Sequence, residues 1–134
     1  EREGEDVSLV AIGTMVPVAV RAARQLEDQG ISAEVINARW VKPLDRELIT
    51  ESATKTEAVV TIEEGRDNGG FGSAILELLS EENILRPTKL LGVPRGIVNH
   101  GDRSEYLEEF GLTPGGVAEA ARNVLSNREE TTSG

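Results

Sequence analysis

Two adjacent carboxylates followed by a glycine-rich segment are the residues of this chain whose types and spacing could support chemistry. Glu63 and Glu64 follow the apolar run Ala58–Ile62. The glycines that come next are Gly65, Gly69, Gly70 and Gly72. Paired carboxylates can serve as acid and base, and a glycine-rich loop before a helix can hold a phosphate. His100, the single histidine, is a further candidate for proton transfer.

The spacing of these residues argues against each chemistry. Neighbouring residues at a strand end point to opposite faces, so Glu63 and Glu64 cannot act together on one substrate. Residues 65–72 match neither the dinucleotide fingerprint nor the P-loop, and the carboxylates before them would repel a phosphate. His100 lacks a serine on a strand-to-helix elbow and lacks other histidine or cysteine ligands. We expect one carboxylate to accept a backbone N–H or an arginine across an interface, and the other to be solvated.

The segment Arg39-Trp40-Val41-Lys42-Pro43 contains the single tryptophan. An exposed Trp40 would be a contact hot spot, whereas a buried one would only fill space. The sequence leaves both interpretations open. Taken together, these residues indicate a domain without a self-sufficient active site. Such a domain more often supports an enzyme formed elsewhere in the chain than performs chemistry alone.

Strands and helices alternate along the chain and must position these residues. Period-two or continuous apolar runs predict strands at residues 8–12, 33–38, 58–62 and 89–93. Amphipathic stripes and caps predict helices that begin near Pro17, Asp45, Phe71, Arg103 and Pro114. This alternation predicts an α/β fold, a three-layer α/β/α sandwich with a mostly parallel sheet between helices.

Local signals set the ends of several of these elements. Gly30 and Gly111 are expected to close helices in the left-handed conformation. Thr113 is expected to cap the last helix, with Pro114 at its first position. In the second helix we expect Leu48 and Ile49 to face inward. Residues 33–38 have the alternating polarity of a strand.

Length and composition indicate one domain and exclude several partners. The 134 residues, 38% of them apolar, suffice for one core, which we assign to residues 7–126. Residues 1–6 are expected to be a tail from an interdomain linker, and residues 127–134 a polar C-terminal tail. A net charge of −10 disfavours nucleic acid and anionic membranes. The start at Glu1 suggests a piece of a longer or processed chain, and the lack of cysteine fits the cytoplasm.

Two longer runs carry a family resemblance. Residues 6–45, DVSLVAIG through RWVKPLD, and residues 61–75, TIEEGRDNGGFGSAI, resemble the C-terminal domain of transketolase-like thiamine diphosphate enzymes. This domain also occurs in the β subunits of 2-oxoacid dehydrogenase E1 components, and the resemblance covers residues 6–125. The block at residues 92–117, GVPRGIVNHGDRSEYLEEFGLTPGGV, is most similar to the 1-deoxy-D-xylulose-5-phosphate synthases.

The resemblance implies a fold and an activity. The fold would have five strands, one of them antiparallel, flanked by helices. The longer enzyme would be a thiamine diphosphate-dependent transferase that condenses pyruvate with glyceraldehyde 3-phosphate for isoprenoid, thiamine and pyridoxal synthesis. Catalytic residues, thiamine diphosphate and magnesium would belong to the upstream domains, so this domain alone would bind no cofactor and be inactive. The compartment would be the cytoplasm, or the plastid stroma in a plant.

The resemblance also implies a role in assembly. The partners would be the upstream thiamine diphosphate-binding domains of the same chain and a second subunit in a homodimer, with neither nucleic acid nor a membrane involved. The candidate interdomain or dimer-interface residues are Arg39, Trp40, Lys42, Pro43, Leu44, Asp45, Glu63, Glu64, Gly65, Gly69, Gly70, Phe71, Gly72 and His100. Two alternatives stay open: the C-terminal domain of an E1 β subunit or transketolase, and a free-standing ligand-binding or regulatory module that uses residues 65–72.

Overall fold

Four strands and five helices alternate in the described part of the chain, which comprises residues 3–38, 46–64, 70–92 and 103–133 of a computed structural model. The strands are β1 (Val7–Ile12), β2 (Ala33–Ala38), β3 (Ala58–Ile62) and β4 (Thr88–Leu91). The helices are α1 (Val16–Asp28), α2 (Arg46–Lys55), α3 (Gly70–Glu81), α4 (Arg103–Glu109) and α5 (Pro114–Ser133). A short 3₁₀ turn, Gly13–Met15, joins β1 to α1. The predicted alternation of strands and helices is confirmed.

The sheet has the strand order β2-β1-β3-β4, and every adjacent pair is parallel. In the register of the central strands, Val10 pairs with Ile36 on one side and with Thr61 on the other. All strands therefore end at the same edge, which we call the carboxyl edge; the opposite one is the amino edge. The fifth, antiparallel strand that the resemblance implies is not among the described residues, where the sheet has four parallel strands.

Helices cover both faces of the sheet. Alternate residues of each strand point to opposite layers, so Leu9 belongs to the cluster under α1 and α5, and Val10 to the cluster under α2 and α3. Small residues let α1 and α5 pack closely, among them Ala19, Ala22 and Ala121. β3 is buried along its whole length because both faces are covered. The three-layer sandwich predicted from the sequence is confirmed.

The predicted cap signals are confirmed at three positions. Gly30 and Gly111 have φ values of 81° and 74°, in the left-handed region. The hydroxyl of Thr113 accepts the backbone N–H of Gly116 at 3.1 Å, and α5 begins at Pro114. These helix ends follow from short-range chemistry, so a few neighbouring residues were enough to predict them.

One expectation about side-chain direction is wrong. Ile49 is buried as expected, but Leu48 is 39% exposed, because the inward face of α2 is formed by Ile49, Ser52 and Ala53. The strand predicted at residues 33–38 is present, and Glu34 within it is only 5% exposed. The burial of Glu34 depends on partners distant in sequence, Ser52 and Lys55.

The longest described helix is α5, with 20 residues. It includes residues 127–133, which we expected to form a polar tail, and therefore continues as a helix almost to the end of the chain. The described helices include none with the length and apolar composition needed to cross a membrane.

Candidate functional site

The acidic pair lies at the carboxyl edge, immediately after the central strand β3. Glu63 and Glu64 continue the direction of Ile62, and the backbone N–H of Glu63 donates to the carbonyl of Leu91 at 3.1 Å. This bond extends the β3–β4 pairing beyond the last residue of β3. The rigid sheet thus fixes the backbone that carries both carboxylates.

The Glu63 side chain turns inward toward α3. It is 9% exposed and accepts the backbone N–H of Gly72 from the first turn of that helix. Burial raises the pKa of the Glu63 carboxyl, and the Gly72 N–H offsets only part of that increase. Gly92 lies against the same side chain, since a Cβ there would be 3.4 Å from Glu63 Cγ. One carboxylate was predicted to accept a backbone N–H, and Glu63 does so.

The Glu64 side chain has a different partner on the other layer. It accepts a hydrogen bond of 2.6 Å from the hydroxyl of Thr14, which lies in the turn before α1. The two carboxylates thus point to opposite layers, as the sequence predicted, and they cannot act together as acid and base.

Two other candidate interface residues lie inside the domain. Phe71 is fully buried in the cluster beneath α2 and α3, so its ring fills the core and is not a surface contact. Gly72 is buried as well, and a Cβ there would lie 3.1 Å from both Thr61 Oγ1 and a Leu90 methyl group. Gly70 is the first residue of α3. Phe71 and Gly72 pack α3 against the sheet.

The remaining candidates lie outside the described residues. They are Arg39, Trp40, Lys42, Pro43, Leu44, Asp45, Gly65, Gly69 and His100. In the sequence they belong to the connections that follow β2, β3 and β4, and these strands all end at the carboxyl edge. Their assignment to an interface stays a prediction.

Sequence reasoning missed a buried polar network near the amino edge. Ser8 of β1 places its hydroxyl 2.7 Å from that of Ser52 and 2.6 Å from that of Thr56. Ser52 in turn donates to the carboxylate of Glu34, which Lys55 also contacts. The spacing of Ser52 and Thr56, four residues apart, could have indicated a polar stripe along α2 and the turn that follows it.

The network favours the charged form of Glu34 despite the burial of this side chain. Burial by itself would raise the pKa of Glu34, but hydrogen bonds from Lys55 and Ser52, the charge of Lys55 and the Gly4 N–H together lower it. The hydrogen bond to Glu34 correspondingly raises the pKa of Lys55. The described part of the chain contains no buried side-chain nitrogen or oxygen without a hydrogen-bond partner. The network is therefore complete and has a structural role.

The described residues do not fit a thiamine diphosphate–magnesium site. Among them, no three histidine, cysteine, aspartate or glutamate side chains are grouped to hold a metal ion. At the carboxyl edge the side chains of Glu63 and Glu64 bring negative charge, which opposes a diphosphate. That the cofactor belongs to other domains stays a prediction.

Comparison with protein families identifies this architecture. The model of the transketolase C-terminal domain matches residues 1–117, which is most of the chain. The chain belongs to the transketolase C-terminal domain family. Among the curated proteins similar to this chain are three bacterial proteins named 1-deoxy-D-xylulose-5-phosphate synthase.

The protein of that name from Heliobacterium modesticaldum is 50% identical over 123 residues, or 92% of this chain and 19% of the relative. The protein of that name from Symbiobacterium thermophilum is 48% identical over 124 residues, which are 92% of this chain and 19% of the relative. The one from Gloeobacter violaceus is 48% identical over 125 residues, which are 93% of this chain and 20% of the relative. This transketolase C-terminal domain thus spans about a fifth of the length of these relatives.

Solved structures share the same fold. A split-gene transketolase, solved as an inactive beta4 tetramer, matches with a TM-score of 0.84 and 43% identity over 93% of this chain and 41% of its own. The R525L mutant of transketolase from Pichia stipitis matches with a TM-score of 0.63 and 22% identity, over 94% of this chain and 17% of its own. At 22% identity, the likeness to the Pichia stipitis protein supports the fold alone.

Proposed function

We propose that this chain is the C-terminal assembly domain of a thiamine diphosphate-dependent 1-deoxy-D-xylulose-5-phosphate synthase. The 50% identity to a relative of that name, over 92% of this chain, carries the proposal. The full-length enzyme would join a two-carbon unit from pyruvate to glyceraldehyde 3-phosphate, with loss of carbon dioxide, for isoprenoid precursor synthesis. This chain would contribute no catalytic residue.

An assembly role accords with the carboxyl edge. Sites and interfaces of open parallel sheets form where the strands end, and all four described strands end there. The carboxylates at that edge are already engaged, Glu63 by Gly72 and Glu64 by Thr14, and they lie on opposite layers. We therefore assign the edge to contacts with the upstream domains of the same chain and with a second subunit.

The cofactor is assigned to the upstream domains. Thiamine diphosphate with magnesium would supply the carbon–carbon bond chemistry there, and no step of that chemistry is placed on this chain. For the compartment we propose the cytoplasm, or the plastid stroma in a plant. The absence of cysteine is compatible with either compartment, because proteins there do not depend on disulfides for stability.

A transketolase is the second candidate function. The likeness to a split-gene transketolase, at 43% identity and a TM-score of 0.84, favours it. A transketolase would move a two-carbon unit between sugar phosphates and would not release carbon dioxide from pyruvate. The two candidates therefore differ in substrate and in a gaseous product.

The test begins with the size of the native polypeptide, measured by immunoblot of a source lysate with antibody to this domain. We expect a band several times larger than 14.4 kDa, the mass of this chain. The purified full-length protein is then assayed with pyruvate and glyceraldehyde 3-phosphate for carbon dioxide and the five-carbon product. Ketol transfer without carbon dioxide would favour the transketolase, and a band near the mass of this chain would overturn both candidates.

A matched pair of substitutions tests the assembly role. Thr14→Arg places a long cation at the carboxyl edge, and Ser80→Arg places the same side chain near the opposite end of α3, where it is exposed. If the carboxyl edge is an interface, Thr14→Arg should weaken subunit association of the full-length enzyme about tenfold or more, a loss of about 1.4 kcal/mol. Ser80→Arg should leave association unchanged. Equal behaviour of the two variants in analytical ultracentrifugation would contradict the assignment.

A further inference from the structure

The backbone before β1 is attached to the domain by a series of hydrogen bonds. The N–H of Glu5 donates to the Ser32 hydroxyl at 3.1 Å, and the N–H of Asp6 donates to the Ser32 carbonyl at 2.8 Å. The Asp6 carboxylate accepts the Ser32 N–H at 2.7 Å. The Asp6 carbonyl accepts the N–H of Glu57 at 3.0 Å. Residues 5 and 6 are thus joined both to the start of β2 and to the turn before β3.

Gly4 comes closer to β2 than any other residue type could. A Cβ at this position would lie 2.3 Å from the carbonyl carbon of Ala33 and 2.5 Å from the nitrogen of Glu34. Both atoms belong to the backbone of a strand within the sheet, so they cannot move aside easily. Any side chain at residue 4 must therefore lift this segment away from β2.

The buried polar network holds the same segment. The N–H of Gly4 donates to the Glu34 carboxylate, which Lys55 and Ser52 of α2 also contact. Hydrogen bonds to a charged group are about twice as strong as those between neutral groups. The direction of residues 4–6 is therefore set by α2 and β2 together.

We propose that residues 4–6, held by Ser32 and Glu34, form an anchor that fixes the direction in which the preceding polypeptide enters this domain. The inference rests on the proposed function, since only a longer chain has upstream domains to orient. A chain segment before the first strand ordinarily frays unless it is tied down, because ordering its backbone costs conformational entropy. Here the segment is held by a hydrogen bond to the charged Glu34, by hydrogen bonds to the backbone of Ser32 and Glu57, and by the close packing of Gly4 on β2. The anchor positions the upstream domains relative to this one, and Gly4 is its principal positioning residue.

The test compares Gly4→Ala with Gly115→Ala in the full-length protein. A Cβ on Gly115 would meet no atom within 4 Å, so this variant is the matched control. Hydrogen–deuterium exchange is measured for residues 4–6, β1 and β3. The distance between a spin label at Arg24→Cys, exposed on α1, and a label in the upstream domain is measured by electron spin resonance.

For Gly4→Ala we expect exchange at residues 4–6 to rise about tenfold, while β1 and β3 keep their protection. The distance distribution to the upstream domain should broaden. Ser32→Ala, which removes only the acceptor of the Glu5 N–H, should raise exchange about threefold at that amide, and Ser80→Ala should not. Gly115→Ala should change neither exchange at residues 4–6 nor the distances.

Three results would overturn the anchor. They are unchanged exchange at residues 4–6 in Gly4→Ala, an equal rise in β1 and β3, and faster exchange with unchanged interdomain distances. The second result would show that residues 4–6 stabilise the whole fold. The third would show that the segment is ordered but does not orient the upstream domains. Because the distances can be measured whichever reaction the enzyme performs, failure of the synthase assay would not be mistaken for failure of the anchor.

Discussion

The backbone N–H of Gly72 donates a hydrogen bond to the carboxyl group of Glu63 and so joins the first turn of α3 to the end of β3. The next residue, Glu64, bonds to Thr14 on the opposite layer. Each carboxylate therefore connects the sheet to a different helical layer at the carboxyl edge. This arrangement explains how an acidic pair at a strand end can pack the sheet against both helical layers without acting as a paired acid and base.

Glu63→Gln should stabilise this chain at neutral pH. Burial raises the pKa of Glu63, so the folded state binds this proton more tightly than the unfolded state. The stability that Glu63 contributes is therefore complete below the ordinary glutamate pKa and is lost as pH rises through the raised folded value. The neutral amide avoids that loss. We expect the variant to be more stable than the parent in urea at about pH 7 and equal to it near pH 4.

Glu64→Gln is the matched control for that experiment. Its side chain is less buried and bonds to a hydroxyl, so the substitution weakens one hydrogen bond and relieves no buried charge. We expect no gain at neutral pH. If the difference in stability between Glu63→Gln and the parent were the same at neutral pH as in acid, burial would not raise the pKa of Glu63.

Glu34→Gln should destabilise this chain by about 1–3 kcal/mol at neutral pH, because the substitution removes charged hydrogen bonds from Lys55 and Ser52. Here the folded pKa is lowered, so the stability is present above the ordinary glutamate pKa and is lost as pH falls through the lowered folded value. The difference between variant and parent should therefore shrink in acid. Glu51→Gln, at an exposed position of α2, should stay within about 0.5 kcal/mol of the parent. A pH-independent difference for Glu34→Gln would contradict the assigned pKa direction.

Arg86→Lys should cost about 1–2 kcal/mol of stability. The Arg86 guanidinium caps the end of α2, with Nε 3.0 Å from the Ala53 carbonyl and 2.8 Å from that of Thr56, and Nη2 3.2 Å from that of Thr54. These carbonyls lack helical partners, and the single ammonium group of lysine cannot reproduce the planar fork. Urea unfolding checks the result against Arg24→Lys at an exposed position of α1, which should change stability by less than about 0.5 kcal/mol. Equal effects would show that the cap contributes nothing.

Gly116→Ala should destabilise the chain by about 1–3 kcal/mol through overpacking. A Cβ on Gly116 would lie 2.5 Å from the carbonyl oxygen of Gly111, whose backbone turns through a positive φ there. The adjacent Gly115→Ala meets nothing within 4 Å and lies in α5, so it should stabilise the helix by about 0.5–1 kcal/mol. Thermal unfolding of the two variants should move in opposite directions. A shared direction would mean that the close approach at Gly116 is relieved without cost.

Much of the fold could be predicted because its signals are local. The bounds of β2 and β3 agree with the sequence at both ends, since Gly30 and the polar turn before Ala58 interrupt the apolar runs. The layer assignments also follow from alternation along each strand. The candidate site was predicted less completely. The opposite directions of Glu63 and Glu64 follow from strand periodicity, whereas their partners Gly72 and Thr14 depend on how α3 and the turn before α1 pack.

The sequence by itself determined the alternation of strands and helices, the caps at Gly111 and Thr113, and membership of the transketolase C-terminal domain family. Only the tertiary structure decided that Leu48 faces outward, that Glu34 is buried, and which backbone Gly4 approaches. The physical reason is one of range. Caps and periodicity act over a few residues, whereas the burial of Glu34 depends on Ser52 and Lys55, about twenty residues away, which only the packing of α2 against β2 brings within hydrogen-bonding distance.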